Sequence, residues 1–508
     1  MYRLYEEPWA EQCCSQSRSC EFCRHKSCNE TGGCFSHCCC ENMCSNFQWQ
    51  CSHCGCLLRG CFGWCRPAIS LKGLTGHVIL QGEPGYNKAR QDFNGRFNKF
   101  PKIIVYCEAV DDVVNAICWV RKYGLPFRIR DGGHSYEAFS LVNCGLIIDV
   151  SRLLNLQINK EEGTARVGAG IKLLPLYEAL WEQGVTIPGG TCPTVGISGL
   201  TLGGGYGVLS RLFGMTCDNL LEIEMVTAHG NMIRANRFEH PDLFWACRGG
   251  GDGSFGVITS FTFRVHPIET VTTYSMTWDF NDVAEVVRHW QMWAPYTDER
   301  LTSLLSLPGK GQGDLSSFGA FVGPEEELKL ILRPLQENTQ PKSVELQTMT
   351  WIEAVHMYAG IPQEQALFKN TSAYVSEPLS NAALDVLNRN LGKAPGPTNR
   401  VSFAAYGGAI NRVPTMATAF PHRKTMFAIQ YQSYWTQDEE ACKNIRWIEQ
   451  FRVSMLPFTR GAYRNYCDSM IADWPIAYFG VNLSRLKKAK RMYDPENLFH
   501  FEQSIPIN

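Results

Sequence analysis

The chain has 508 residues, of which 44% are hydrophobic, 12% aromatic and 19% charged, and its formal net charge is -1. This length exceeds the size at which one hydrophobic core stops growing, so we expect two or more folded units. The composition excludes a disordered chain, and the balanced charge supplies no basic field that would favour nucleic acid or an anionic membrane surface.

The N-terminus has no basic region followed by an apolar run, and no apolar stretch in the chain approaches about eighteen residues. We therefore expect neither a standard signal peptide nor a membrane span. A cytoplasmic location and an association with a cell or spore outer layer both stay open.

Residues 1–68 form a cysteine-rich extension, since 15 of the 23 cysteines lie between Cys13 and Cys65. Pairs such as Cys20-x2-Cys23 are compatible with a zinc module, although the irregular spacing fits no zinc-finger pattern. Two other interpretations are a disulfide-linked or inter-chain cross-linked head and a poorly ordered tail. Because the number is odd, a leftover thiol would suit cross-linking into an assembly.

From Leu71 onward, strand and helix patterns alternate, which predicts a mixed α+β fold with loops at strand ends, where ligands commonly bind. Apolar residues at helical spacing predict a helix that opens at Asp111 and stops at Gly124. The other elements predicted in this region are strands over 103–106, 127–130, 145–150 and 164–167 and a helix over 173–183. Alternating residues in 401–406 and 425–434 predict an antiparallel sheet.

Two glycine-rich segments indicate a ligand site. The stretch 188–207 is uncharged and rich in glycine, which is typical where backbone turns sharply or lies against another molecule; a surface loop is the alternative. Gly132-Gly133-His134 follows a predicted strand, and its backbone N–H groups could cradle a phosphate.

A third glycine cluster, Gly251-x-Gly253-x-x-Gly256, has the form of a dinucleotide-binding motif. A Rossmann motif must lie between a strand and a helix, whereas the run VITSFTFRV that follows is β-like. We therefore exclude a nicotinamide-type Rossmann site. No GxxxxGK[ST] motif occurs either.

Three segments together carry the most specific signal. They are RDGGHSYEAFS at 130–140, PGGTCPTVGISGLTLGGGYG at 188–207 and YFGVNLSRLKKAKRMYDPENLFHFEQSI at 478–505. In this order they closely resemble the FAD-linked oxidases of the berberine bridge enzyme-like group, within the vanillyl-alcohol oxidase superfamily, and the resemblance runs from about Leu71 to Ile505.

The resemblance implies a particular division of the chain. After the extension it predicts a two-part, PCMH-type FAD-binding domain of the vanillyl-alcohol oxidase kind and an antiparallel-sheet substrate domain. The implied boundaries are 69–267 for the FAD-binding domain, 268–455 for the substrate-binding domain and 456–508 for a C-terminal segment that returns to the FAD domain.

The resemblance also implies FAD bound by two covalent bonds, from His134 to the 8α-methyl group and from Cys192 to C6 of the flavin. Both side chains are nucleophiles able to add to an electron-poor ring. Val195 matches the position that in the family controls oxygen access, where valine accompanies oxidases and leucine accompanies dehydrogenases. Further cofactor contacts are implied for Arg130, Gly132, Gly133, Ser135, Gly196, Ser198, Gly199, Gly203, Gly204, Gly207, Val257, Asn482 and Gln503.

On the substrate side, Tyr466 matches the family's catalytic base, and Tyr406 and Gln430 fall on strands that would line the same cavity. A phenol has an ordinary pKa near ~10, so this role would need a positive or hydrogen-bonding environment. A purely structural tyrosine is the alternative. Ala428 and Leu200 replace a glutamate and a histidine of the plant alkaloid-type members, which disfavours oxidative ring closure.

We therefore expect an oxidase that converts an alcohol, either a sugar or lactol hydroxyl or a secondary-metabolite hydroxyl, to a carbonyl or lactone while reducing O2 to H2O2. The expected partners are a small-molecule substrate and O2, without a metal site, nucleic acid or membrane. The alternatives are a flavin dehydrogenase with another electron acceptor and a coat or structural protein cross-linked through its cysteine-rich head.

Overall fold

The computed structural model describes residues 70–251, 253–360 and 365–508. Leu74–Asn508 fold as one unit. The predicted cysteine-rich extension over 1–68 lies outside the described residues, so its zinc, cross-linked and poorly ordered alternatives stay predictions. Within the described part of the chain, no helix combines the length and the apolar character needed to cross a membrane.

The first sheet has four strands in the order β1-β2-β4-β3. Its strands are β1 (His77–Leu80), β2 (Ile103–Tyr106), β3 (Phe127–Arg130) and β4 (Leu146–Asp149). Strand β4 runs parallel to both β2 and β3, and all four of its residues are buried, as expected for a parallel strand covered on both faces. Strand β1 pairs antiparallel with β2 at the edge.

The second sheet has five antiparallel strands in the order β5-β6-β10-β8-β9. They are β5 (Leu156–Asn159), β6 (Thr164–Gly168), β8 (Leu220–Val226), β9 (Met232–Asn236) and β10 (Val257–Arg264), and a separate pair joins β7 (Val185–Thr186) to β11 (His266–Pro267). Strand β10 begins directly after Gly256, so the glycine motif precedes a strand. The exclusion of a Rossmann site is confirmed.

The third sheet has seven antiparallel strands in the order β15-β12-β14-β13-β17-β18-β16. They are β12 (Thr270–Trp278), β13 (Leu301–Pro308), β14 (Leu315–Phe321), β15 (Ser343–Thr350), β16 (Leu367–Val375), β17 (Arg400–Ala405) and β18 (Phe427–Trp435). Buried residues alternate with partly exposed ones along β13, β17 and β18, so one face packs on helices and the other is available to a site. The predicted antiparallel sheet is confirmed.

Helices cover the sheets. In the described residues they are α1 (Tyr86–Ala89), α2 (Val110–Tyr123), α3 (Leu173–Trp181), α4 (Ile197–Leu202), α5 (Ser210–Phe213), α6 (Pro241–Ala246), α7 (Val283–Trp293), α8 (Glu325–Thr339), α9 (Trp351–Ala359), α10 (Asn381–Leu391), α11 (Gly408–Arg412), α12 (Ala441–Met455), α13 (Trp474–Phe479) and α14 (Leu483–Tyr493). Trp290 of α7 packs against Phe403 of β17 and Phe427 of β18, which fixes the helical layer on the third sheet. Helix α2 ends at Gly124 in the left-handed conformation (φ 61°), as its sequence predicts.

A buried ion cluster joins the loop that follows the Gly132-Gly133-His134 turn to the third sheet. Lys369 of β16 lies 2.6 Å from Glu137 and 2.5 Å from Asp468, and its side chain is 1% exposed. Gln503 of the C-terminal segment donates to the Asp468 carbonyl at 2.8 Å. The chain terminus, β16 and the loop after His134 therefore meet at one point.

Candidate active site

A cavity of about 770 Å³ lies between the glycine loops and the free face of the third sheet. One wall consists of the segment 127–136, which holds the Gly132-Gly133-His134 turn, and of the glycine-rich stretch as far as Val208. The opposite wall comes from strands β13, β14, β17 and β18, and the segments 463–467 and 499–501 close the cavity. The two segments singled out in the sequence therefore share one wall.

The two glycine loops touch through their backbones. A Cβ atom on Gly132 would come within 2.4 Å of the Gly196 nitrogen, and one on Gly196 would lie 1.8 Å from a carboxylate oxygen of Asp131. A larger residue at Gly132 would have to move the Gly196 backbone, and one at Gly196 would have to move the Asp131 side chain. This contact brings the two loops together at one edge of the cavity.

His134 lies on the cavity wall with its ring stacked on Phe93 (centroids 4.4 Å apart, planes at 20°). Its Nε2 atom hydrogen bonds with Thr194 Oγ1 at 2.9 Å. Burial, aided by the charge of Lys172, lowers the pKa of His134 to about 4. The imidazole is therefore neutral at pH 7 and retains a nitrogen lone pair.

Cys192 also lines the cavity, with its Sγ 3.9 Å from Thr194 Oγ1. Main-chain bonds hold its loop on helix α3, because Leu173 N donates to Val195 O at 3.0 Å and Leu174 N donates to Pro193 O at 3.1 Å. Val195 lies on the same wall as Cys192. The loop thus presents a thiol and a small apolar side chain side by side from a fixed backbone.

Asp131 is a wall residue that the sequence analysis missed. Its Oδ2 accepts the Ser198 N–H at 3.1 Å, and its buried Oδ1 has no hydrogen-bond partner among the described residues. Burial raises the pKa of Asp131 to about 8. A neutral acid at pH 7 reduces the repulsion that an anionic ligand would meet at this edge.

Tyr466 lies in one of the segments that close the cavity and is stacked on Tyr136 (centroids 5.5 Å apart, planes at 2°). Gln430 Nε2 donates to Tyr136 Oη at 2.8 Å, and Gln432 Nε2 donates to Gln430 Oε1 at 2.9 Å. Tyr136 was also missed, although it stands two residues after His134 in the same motif. In an extended segment that spacing puts two side chains on one side, which is a signal the sequence contains.

Burial raises the pKa of Tyr466 to about 12, and the neighbouring Tyr434 and Cys192 act in the same direction. The expected cationic environment is therefore not supplied by the residues that surround this phenol. Tyr466 is therefore protonated at pH 7.

Most predicted site residues meet at the cavity. Those on its walls are Gly132, Gly133, His134, Ser135, Cys192, Val195, Gly196, Ser198, Gly199, Gly207, Gln430 and Tyr466. The site is thus assembled from segments as distant in the chain as Gly132 and Tyr466. Among the described residues, no group of three or more His, Cys, Asp or Glu side chains is arranged to hold a metal ion.

Seven predicted residues do not line the cavity, and each of them packs against another part of the protein. Arg130 is buried against Asp149 (2.5 Å), and Val257 is in the apolar core. Added Cβ atoms on Gly203 and Gly204 would meet Asn465 and Phe420.

The remaining three belong to the C-terminal half of the chain. Asn482 donates to the carbonyls of Thr415, Thr418 and Ala419, while Gln503 bonds Asp468 and Tyr478. Tyr406 follows β17 and is buried in a cluster with Tyr206 and Tyr374. These contacts support the loops that form the cavity rather than its surface.

The sequence of this chain is similar to those of known flavoproteins. A family model described as an FAD binding domain matches residues 101–236, and one described as berberine and berberine like matches residues 462–506. YgaK of Bacillus subtilis (strain 168), named an uncharacterized FAD-linked oxidoreductase, is 43% identical over 439 residues, which cover 85% of this chain and 97% of that protein.

Two solved structures share the fold over the same region. BBE-like 1 of Physcomitrella patens superposes with a TM-score of 0.81 at 32% identity, covering 85% of this chain and 97% of that one. A chitooligosaccharide oxidase superposes with a TM-score of 0.80 at 26% identity, with the same coverage.

Proposed function

Because the chain belongs to the berberine bridge enzyme-like family of FAD-linked oxidoreductases, we propose that it is an oxidase in which FAD is bonded to both His134 and Cys192. The substrate is an alcohol, a sugar or lactol hydroxyl or a secondary-metabolite hydroxyl, which becomes a carbonyl or lactone as O2 becomes H2O2. One observation carries the proposal: His134, Cys192 and Tyr466 line the same cavity.

The residues of the loop wall fit the cofactor. The glycine contact at Gly132 and Gly196 leaves no room for a side chain, so the cofactor can approach the backbone here, where N–H groups would suit a phosphate. A neutral Asp131 beside them removes a charge that would repel it. When bound, FAD supplies the two-electron acceptor that the alcohol oxidation requires.

The sheet wall suits a polyhydroxylated substrate. Its polar lining residues are Ser306, Ser316, Arg400, Ser402, Gln430 and Gln432, and its aromatic ones include Phe318, Phe368 and Phe403. Amides and hydroxyls can bond each hydroxyl of a sugar, while rings pack on its apolar faces. The fold shared with a chitooligosaccharide oxidase supports the same substrate class.

Tyr466 is the proposed proton acceptor for the substrate hydroxyl, and Tyr136 and Gln430 orient it. The stacked Tyr136 ring fixes the plane of Tyr466, and the Gln430 amide fixes the Tyr136 hydroxyl. A raised pKa makes the phenolate of Tyr466 a stronger base than an ordinary tyrosinate, and this phenolate is the form that can accept the hydroxyl proton.

A substrate screen by peroxide release tests this proposal. Purified yellow protein would be offered mono- and oligosaccharides, lactols and aromatic alcohols under air, with a Tyr466→Phe variant as the matched control. We expect stoichiometric H2O2 and oxidised product from at least one class and very little from the variant. Flavin reduction without peroxide would instead indicate a dehydrogenase, and equal rates in the variant would remove Tyr466 from the mechanism.

A further inference from the structure

The hydroxyl of Thr194 lies within hydrogen-bonding distance of both side chains proposed to bond the cofactor. Its Oγ1 lies 2.9 Å from His134 Nε2 and 3.9 Å from Cys192 Sγ, the latter within the range of hydrogen bonds to sulfur. Thr194 itself does not line the cavity, whereas His134 and Cys192 do. Its hydroxyl is therefore placed to act on these two groups and not on a ligand.

A hydroxyl can accept one hydrogen bond while donating another. If Nε2–H of His134 donates to Thr194 Oγ1, the imidazole lone pair is on Nδ1, for which no hydrogen-bond partner exists among the described residues. The threonine O–H is then free to donate to the Cys192 sulfur. This arrangement prepares both nucleophiles at once, because a thiolate is the reactive form of cysteine.

The surroundings fix the two partners in place. Phe93 stacks on the His134 ring and limits its rotation, and Thr194 lies in the loop whose carbonyls at Pro193 and Val195 are bonded to helix α3. The Thr194 carbonyl is packed closely against Gly132, because a Cβ added to Gly132 would lie only 3.1 Å from the carbonyl oxygen. The hydroxyl therefore keeps its position without help from a ligand.

We propose that Thr194 is a positioning residue for cofactor attachment: its hydroxyl holds His134 with a free Nδ1 lone pair and stabilises the Cys192 thiolate. The inference rests on the proposed two-point attachment. In each attachment one C–H bond of the cofactor breaks, together with one N–H bond of His134 or the S–H bond of Cys192. One C–N or C–S bond forms in their place. The two hydrogens and their electrons leave on O2 as H2O2, so O2 is the oxidant in both steps.

Two substitutions separate the hydroxyl from the shape of the side chain. Thr194→Val keeps the branched shape and removes the hydroxyl, whereas Thr194→Ser keeps the hydroxyl and removes a methyl group. Protein expressed under riboflavin limitation would be given FAD and air, and samples quenched in acid at intervals. Proteolysis and mass spectrometry would then quantify flavin on the peptides containing His134 and Cys192 separately.

We expect the serine variant to attach flavin at a rate close to that of the parent. In the valine variant both attachments should slow by at least about tenfold, which corresponds to ~1.4 kcal/mol. Native gel filtration should show that this variant still retains FAD, which acid then releases. Retention in the native state separates a loss of attachment chemistry from a collapsed site.

Three outcomes would overturn the inference. The first is parent-like attachment in Thr194→Val, and the second is a serine variant as slow as the valine variant, because the hydroxyl would then be irrelevant. The third is a parent protein with no covalent flavin, which would remove the proposed attachment itself and is recognised without any variant. If circular dichroism shows that the valine variant does not fold, Thr194→Ala should be used instead, and both attachments should slow in the same way.

Discussion

The rings of Tyr136 and Tyr466 are parallel with their centroids 5.5 Å apart, although one follows the His134 turn and the other comes 330 residues later in the C-terminal segment. This stack ties the loop wall of the cavity to the residue proposed as its base. Gln430 completes the arrangement from the third sheet by donating to Tyr136. The proposed chemistry depends on three separate parts of the chain keeping this geometry.

Replacing Tyr466 by phenylalanine should lower kcat by about 10²–10⁴-fold, the usual contribution of general acid–base catalysis, with an unchanged flavin content. Tyr136→Phe retains the stacked ring and loses only the hydroxyl that accepts from Gln430, so its effect should be smaller. Steady-state kinetics with peroxide detection measure both. A larger loss of kcat in Tyr136→Phe than in Tyr466→Phe would mean that Tyr136, and not Tyr466, accepts the proton of the substrate hydroxyl.

The reaction rate should rise with pH throughout the alkaline range in which the protein remains folded. Burial raises the Tyr466 pKa to about 12, so the fraction of phenolate increases with each step in pH below that value. The pH profile of kcat/KM in the parent and in Tyr466→Phe measures this. The variant should lose the alkaline rise; a profile that is flat in the parent would argue against phenolate catalysis.

Val195→Leu tests the proposed path of oxygen. Val195 lines the cavity beside Cys192, and a larger side chain there would narrow access from that wall. Reoxidation of substrate-reduced enzyme by O2 should slow by at least about tenfold, while reduction of an artificial acceptor continues. Stopped-flow absorbance follows both half-reactions. Equal slowing with both acceptors would indicate a general distortion of the loop.

Gly196→Ala and Gly199→Ala separate backbone packing from cofactor contact. A Cβ at Gly196 would collide with Asp131, so this variant should be less stable with or without flavin. At Gly199, in α4, no described atom beyond its chain neighbours and its own helix backbone lies within 4 Å of an added Cβ, and alanine in a helix is favoured by roughly 0.5–1 kcal/mol. If the cofactor approaches Gly199, that variant should remain as stable as the parent and lose bound flavin. Thermal unfolding and flavin absorbance measure the two effects.

Glu449 also belongs to the buried ion cluster, since its Oε1 lies 3.6 Å from Lys369 Nζ, and the cluster predicts opposite effects for Lys369 and Glu449. Lys369→Met leaves Asp468 without its cation and leaves Glu137 with Arg96 alone, so it should destabilise the protein by about 3–5 kcal/mol. Glu449 differs because its Oε1 has no hydrogen-bond partner in the described structure, and burial raises its pKa to about 7. The folded state therefore binds the Glu449 proton more tightly than the unfolded state does.

Because the folded state binds the Glu449 proton more tightly, this carboxyl lowers the free energy of unfolding as the pH rises. The Glu449 carboxyl should destabilise the parent progressively as pH rises from about 4.5 through 7, and Glu449→Gln should be more stable than the parent at pH 8 but not at pH 4. Urea unfolding at the two pH values measures this. A glutamine variant that is less stable at pH 8 would mean that the ionised Glu449 is needed by Lys369.

Much of the fold could be predicted because its signals are local. The strand 103–106 and the stop at Gly124 agree with the structure, since an apolar run and a left-handed glycine act within a few residues. Family membership followed from three motifs that the comparisons confirm. The predicted strand 145–150 is one residue too long at each end, since β4 is Leu146–Asp149, and the predicted helix 173–183 continues two residues beyond Trp181, where α3 ends.

The contacts across the site could not be predicted in the same way. Gln430 meets Tyr136 across 294 positions, and Lys369 meets Glu137 across 232. Alternation along β18 indicates two faces but not which of them covers the cavity. Tyr406 illustrates the difficulty: it follows the last residue of β17, so its side chain joins a buried aromatic cluster instead of the wall.

The most direct test of the central proposal is the flavin content of the denatured chain. Acid-precipitated parent protein should remain yellow, and its proteolytic digest should contain flavin joined to both the His134 and the Cys192 peptides. His134→Ala and Cys192→Ala should each retain flavin through the remaining residue. A colourless precipitate with all the FAD in the supernatant would contradict the two-point attachment and, with it, the account of this site.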